Sequence, residues 1–146
     1  MDRYERIFKK LDEILPLDEM LAEHRREGHA ARKLVSDGFM DLHVDTLTLE
    51  TSDNGFVWVV AIAHYYRVAG DSVPDPDMTI RVWPKLKQAE ALTFQNSLFY
   101  QEVYPEPGKV YPKLKRDLNE FLEMWLRNII EQGHKGLSGL VPEIKG

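Results

Sequence analysis

The chain has 146 residues, 43% of them apolar and 10% aromatic, with a net charge of −5 and no cysteine. This is enough material for one ordinary core, and it excludes an intrinsically disordered chain and a disulfide scaffold; with no run of about 18 apolar residues it also excludes a membrane-spanning helix. The small negative charge disfavours a dedicated nucleic-acid binder and is too weak for a DNA mimic. The charged stretch from Met1 to Arg6 lacks the apolar core of a secretory signal, so a bacterial, cytoplasmic protein is expected.

Tyr4, Ile7, Phe8, Leu11, Ile14 and Leu15 recur at helical spacing and predict a first helix that ends before Pro16. A second helix is expected over residues 17–26, with Asp18 as its cap and Gly28 as its stop. Residues 29–37 are polar and weakly periodic, and read as a connection. From 38 to 50 the pattern alternates, with Met40, Leu42 and Val44 on one parity and Leu47 and Leu49 on the other. That change of phase predicts a β-bulge between Val44 and Leu47.

The turn 51–55 is expected to place Asn54-Gly55 at positive φ. Residues 56–66 then form an almost continuous apolar run, predicting a central strand covered on both faces. The segment 70–76, with two prolines and a glycine, reads as a loop. Strands follow over 78–83 and 88–94, with a further one over 98–104. The closing signal is an apolar stripe of Leu114, Leu118, Phe121, Leu122, Trp125, Leu126, Ile129 and Ile130, opened by Pro112 and closed by Gly133. It predicts a long amphipathic helix packed on a sheet. The fold class is therefore α+β: an antiparallel meander of four to five strands, one or two N-terminal helices and a long C-terminal helix. The expected organisation is one domain over 1–133, comprising a helical segment (1–37), a sheet (38–104) and the helix (112–133). A flexible tail is expected over 134–146.

His64, Tyr66, Asp71, Asp75, Asp77 and Arg81 form the first candidate cluster, because a strand end and its loop would gather an imidazole, a phenol and carboxylates. Aspartates beside prolines also make turns, and the spacing matches no metal motif. Lys109, Lys113, Lys115 and Arg116 form a second, anion-binding candidate. Positive charge opposes the dipole at a helix start, although Asp117 and Glu120 can neutralise it. Phe99, Tyr100, Tyr104 and Tyr111 form an aromatic cluster suited to covering a sheet edge or a partner surface. No nucleophile elbow, P-loop or dinucleotide fingerprint is present.

The run Asp77-Met78-Thr79-Ile80-Arg81-Val82-Trp83, with Tyr104-Pro105, Asn119, Phe121-Leu122, Trp125-Leu126 and Gly133, resembles the YqiB-like bacterial proteins of unknown function. His64-Tyr65-Tyr66, Gly70-Asp71, Asp75 to Met78, Gln95-Asn96 and Tyr100 to Tyr104 are similar to an uncharacterised domain of plasmid and mobile-element proteins. Neither resemblance implies a reaction. The expectation is a small non-catalytic binding or accessory protein with no cofactor, acting on an unknown protein partner or small ligand. Homodimerisation through a sheet edge is compatible with it; nucleic acid is not favoured and no membrane is expected. The alternative is a metal-dependent hydrolase or nuclease with a divalent ion held by His64 and two of Asp71, Asp75 and Asp77.

Overall fold

A computed structural model describes residues 1–136, apart from the side chains of Arg67, Val68 and Pro74. The predicted tail beyond Gly136 lies outside the described residues. Three helices and seven strands occur in the order α1 (Arg3–Ile14), α2 (Leu17–Glu27), β1 (Ala31–Val35), β2 (Leu42–Ser52), β3 (Gly55–Val68), β4 (Asp71–Trp83), β5 (Gln88–Gln95), β6 (Tyr100–Glu102), α3 (Pro112–Glu131) and β7 (Lys135–Gly136). The strands form one antiparallel sheet with the order β6-β5-β4-β3-β2-β1-β7.

The α+β class and the antiparallel meander are as expected, but among the described residues the sheet has seven strands rather than four to five. Two of the additional strands arise where the sequence carries little signal. β1 forms inside the supposed connection, since Leu34 is its one buried apolar residue and alternation cannot show in so short a segment. β7 lies at the start of the supposed tail and pairs with β1 through Leu34–Gly136 and Val35–Lys135.

The third difference concerns the aspartate-rich segment. β3 and β4 run on to a tight turn at Ala69–Gly70, so Asp71 and Asp75 belong to a strand rather than to a loop. Strand β6 shrinks to three residues, and α3 ends at Glu131, two residues before Gly133.

Capping explains the helix boundaries. Asp2 accepts a hydrogen bond from the Glu5 N–H while the Glu5 carboxylate accepts one from the Asp2 N–H, both at 2.8 Å, a reciprocal box that starts α1. In α2 the cap position is Pro16, which makes no side-chain bond; Asp18 lies in the first turn instead. Gly28 ends that helix with φ +85°, the left-handed conformation glycine adopts without a Cβ penalty.

All three helices contribute to one face of the sheet. Ile7, Phe8 and Leu11 of α1, Met20 of α2, and Leu118, Leu122, Trp125, Leu126 and Ile129 of α3 bury against Leu42, Val44, Trp58, Val60, Ile62, Met78, Ile80 and Val82. A bulge is present, but at Leu47 between Thr46 and Thr48 rather than before Leu47, so that only Leu49 returns to the packed face, opposite Trp58, and Leu47 is left exposed. At Gly55 the backbone takes φ +89°, so the positive angle of the β2–β3 turn falls on the glycine and not on Asn54.

β3 is the middle strand of the sheet, as expected, but only one of its faces lies under the helices. Trp58, Val60 and Ile62 point into the core, while Val57, Val59 and Ala61 lie on the uncovered face and stay partly exposed. The second face of this sheet is where the polar residues of β2, β4 and β5 collect.

Candidate functional site

On the uncovered face, register decides which side chains meet. Ala61 lies between Asp45 of β2 and Thr79 of β4, and Ala63 lies between His43 and Asp77. Two alanines in the middle strand therefore leave a groove floored by methyl groups. Asp45, Tyr65, Asp77, Thr79, Thr93 and Tyr100 line a cavity of about 470 Å³ here, with His29 and Leu47 at one side.

Within the groove the hydroxyls of Thr79 and Thr93 are 2.6 Å apart, so one donates to the other and the pair braces β4 against β5. Tyr65 meets the His43 ring edge-on at 5.3 Å between centroids. His29 Nε2 is 3.3 Å from Asp45 Oδ1, in an exposed contact. Asp77 is half-buried, and its carboxyl is pushed above the usual aspartate range, first by burial and then by the Asp45 charge. The Tyr65 phenol is also pushed up, by burial and by the charges of Asp77 and Asp45. The groove is thus a half-desolvated acidic site in which, among the described residues, no cation offsets Asp77.

The first predicted cluster does not assemble. His64 projects to the helix side of the sheet, where it is buried against Trp125 with ring centroids 5.3 Å apart. Its Nδ1–H donates to the Asp41 carbonyl at 2.8 Å, a carbonyl being able only to accept. Burial lowers its pKa. Asp77 and Arg81 lie on the opposite face, so the sheet itself separates them from the imidazole. Tyr66 alternates to the side of His64, while Asp71 and Asp75 are exposed along the β3–β4 hairpin. Among the described residues no group of three or more His, Asp or Glu side chains is placed to hold a metal ion.

Nor does the second cluster converge. Lys113 pairs with Asp117 at 2.7 Å and Arg116 approaches the same carboxylate at 4.0 Å. Lys115 turns away to lie over the rings of Tyr4 and Tyr104, each at 5.6 Å. Lys109 sits over Tyr111 at 5.7 Å. The basic segment around α2 and β1 is likewise engaged: Arg32 bonds Glu19 and Glu23, and Lys33 reaches Asp41 at 3.3 Å. His24 is buried, with Nδ1 2.6 Å from Thr46 Oγ1.

In the aromatic cluster, Phe99 stacks on Phe94 at 5.9 Å beside the β5–β6 pairing, Tyr100 enters the acidic groove, and Tyr111 stands at the N-cap position of α3 without a side-chain capping bond. Of the groove residues, Asp45 and Thr93 belong to no motif in the sequence, while Tyr65 and Thr79 lie in the runs that carry the resemblances with no role attached to them. Their signal is strand pairing: once Ala61 and Ala63 are set opposite Asp45 and Asp77, the groove follows.

Among the described residues no helix is long and apolar enough to cross a membrane. No curated protein and no solved structure matches the chain. Residues 2–135 match the family described as Domain of unknown function (DUF6908), and the chain belongs to that family.

Proposed function

We propose that this protein is a non-catalytic, cytoplasmic binding or accessory protein of bacterial type, built as one domain, and that its functional face is the uncovered face of the sheet. The occupant we infer is a basic peptide segment of a partner protein, with a lysine or arginine side chain seated between Asp45 and Asp77. The observation that carries this is the half-buried Asp77, whose ionisation is opposed by burial and by Asp45, with no cation beside it among the described residues. An incoming cation would relieve both penalties at once, and Tyr65 and Tyr100 offer rings for the aliphatic stem. The negative charge of the whole chain favours the encounter. A link to the YqiB-like proteins or to mobile elements, drawn from the strand motifs, belongs to the same proposal and carries no activity with it.

Fluorescence anisotropy with a labelled lysine- and arginine-rich peptide tests the reading, with a glutamate-rich peptide of equal length as the control. Saturable binding of the basic peptide that weakens at least tenfold in Asp77→Asn is expected. Equal affinity of the two peptides, or no effect of the substitution, would overturn it.

A further inference from the structure

A second cavity on the uncovered face lies outside the acidic groove, and it unites one member of each predicted cluster. Arg81 and Lys109 line a space of about 610 Å³ together with Tyr104, Pro105, Glu106 and Pro107. We propose that this cavity is a binding site for a small organic anion, one carboxylate or phosphate group attached to an apolar or aromatic body, with Arg81 as the recognition residue.

The geometry around Arg81 supports this step by step. Arg81 faces Glu90 in the β4–β5 register, the position where a cross-strand ion pair is expected. Glu90 is instead buried and accepts the Tyr104 hydroxyl at 2.5 Å. The Arg81 guanidinium is left between two rings, 5.7 Å from the Trp83 centroid and 5.3 Å from that of Tyr104. Among the described residues it has no ion pair and no hydrogen bond. Stacking restrains the plane of the guanidinium while its N–H groups stay available, and a planar fork of donors matches a carboxylate or phosphate two bonds at a time.

The wall opposite Arg81 is a closed loop. The Tyr111 N–H donates to the Val103 carbonyl at 2.9 Å across its base, and the Lys109 N–H donates to the Glu106 carbonyl at 3.0 Å within it. Pro105 and Pro107 stiffen the loop, and Gly108 turns it with φ +80°. A cavity with fixed walls needs little ordering when a ligand enters. Lys109 supplies a second cation, while the Glu106 carboxylate repels additional negative charge. The site therefore suits a ligand with one oxyanion group and disfavours a polyanion such as a nucleic-acid strand. Tyr104 and the two prolines receive the apolar body.

Phenyl phosphate and benzoate are the probes, titrated into the full chain and followed by calorimetry and by tryptophan fluorescence. Trp83 is the reporter, since Trp58 and Trp125 are buried in the core. Saturable binding of at least one probe is expected, and the stronger of the two identifies the oxyanion as phosphate or carboxylate. Arg81→Gln should weaken it roughly 10- to 100-fold, the size expected for lost hydrogen bonds to a charged group. Lys109→Gln, a change in an exposed loop residue, should weaken it by a smaller factor, and Trp83→Phe should remove the fluorescence response while calorimetry still detects binding. Absence of saturable binding, affinity unchanged in a folded Arg81→Gln variant, or equally tight binding of heparin would overturn the proposal. Because Asp77 lies outside this cavity, Asp77→Asn should leave probe affinity unchanged, so the outcome here is independent of the peptide experiment.

Discussion

Arg6 Nε donates to Glu123 Oε2 at 2.6 Å, so a buried carboxylate of the last helix is held by a cation of the first. Arg3 donates to Glu123 Oε1 at 3.1 Å and Lys10 approaches at 3.7 Å, placing three cations around one acid. The Arg6 hydrogen bond is the main cause that holds the Glu123 carboxyl down to about 2, against the cost of burial.

A depressed carboxylate contributes stability above its unfolded pKa, near 4.3, and loses it as pH falls toward the folded value. Glu123→Gln is therefore expected to cost about 2 kcal/mol at neutral pH, less than the full shift implies because Arg3 and Arg6 are partly solvated. The deficit should close between pH 4.5 and 2, where the wild type loses the same contribution. Urea midpoints measured across that range check this; a deficit of constant size at every pH would refute it.

Thr46 is buried beneath the turn into β1. Its hydroxyl oxygen accepts the Ala30 N–H at 2.9 Å and contacts His24. Thr46→Val keeps the shape and removes both partners, and should destabilise by about 1 to 3 kcal/mol, the cost of buried groups left unpaired. An unchanged denaturation midpoint would show that water satisfies them.

Asn119 of α3 performs a related task on the same face, at β5. Its Oδ1 accepts the Ala91 N–H at 2.8 Å and its amide donates to the Lys115 carbonyl at 2.7 Å. Asn119→Asp retains the acceptor but loses the donor, so a carboxylate would face a carbonyl. We expect a loss of about 2 kcal/mol for Asn119→Asp at neutral pH, shrinking in acid as the carboxyl regains a proton to donate. Thermal melts at pH 7 and pH 4 distinguish this from simple loss of packing, which would not depend on pH.

Asp77 has its folded pKa raised, the reverse of Glu123. A carboxyl of that kind contributes stability below its unfolded pKa and loses it as pH rises through the folded value. Asp77→Asn, which resembles the protonated form, should raise Tm slightly at pH 7, by about a degree or two, even as it weakens binding of the basic peptide. A fall in Tm would mean that the carboxylate has a structural partner.

The helices, the central place of β3 and the bulge after Val44 were legible because each rests on many apolar residues at a fixed period. β1 and β7 were not, since Leu34 alone marks one and nothing apolar marks the other. The same limit governed the site. Closeness along the chain suggested joining His64 to Asp77, yet alternation on paired strands sends them to opposite faces, and only the register Ala63–Asp77 reveals it. Asp45 and Asp77 are distant in sequence, so their approach could be seen only once β2, β3 and β4 were aligned.

The outermost strands β6 and β7 have three and two residues, whereas β3 at the centre has fourteen. Stacking into cross-β fibrils calls for a segment of about six residues with free backbone groups. Neither end strand is that long, although β1 pairs only with Leu42 to Asp45 and leaves the outer margin of β2 from Leu47 to Ser52 without a strand neighbour among the described residues. The adhesive run from Val57 to Ala63 is flanked by β2 and β4 and becomes a template only when the sheet comes apart. Fibril seeding through this run should therefore follow the population of opened chains, and substitutions that weaken the Arg6–Glu123 tie should shorten its lag time.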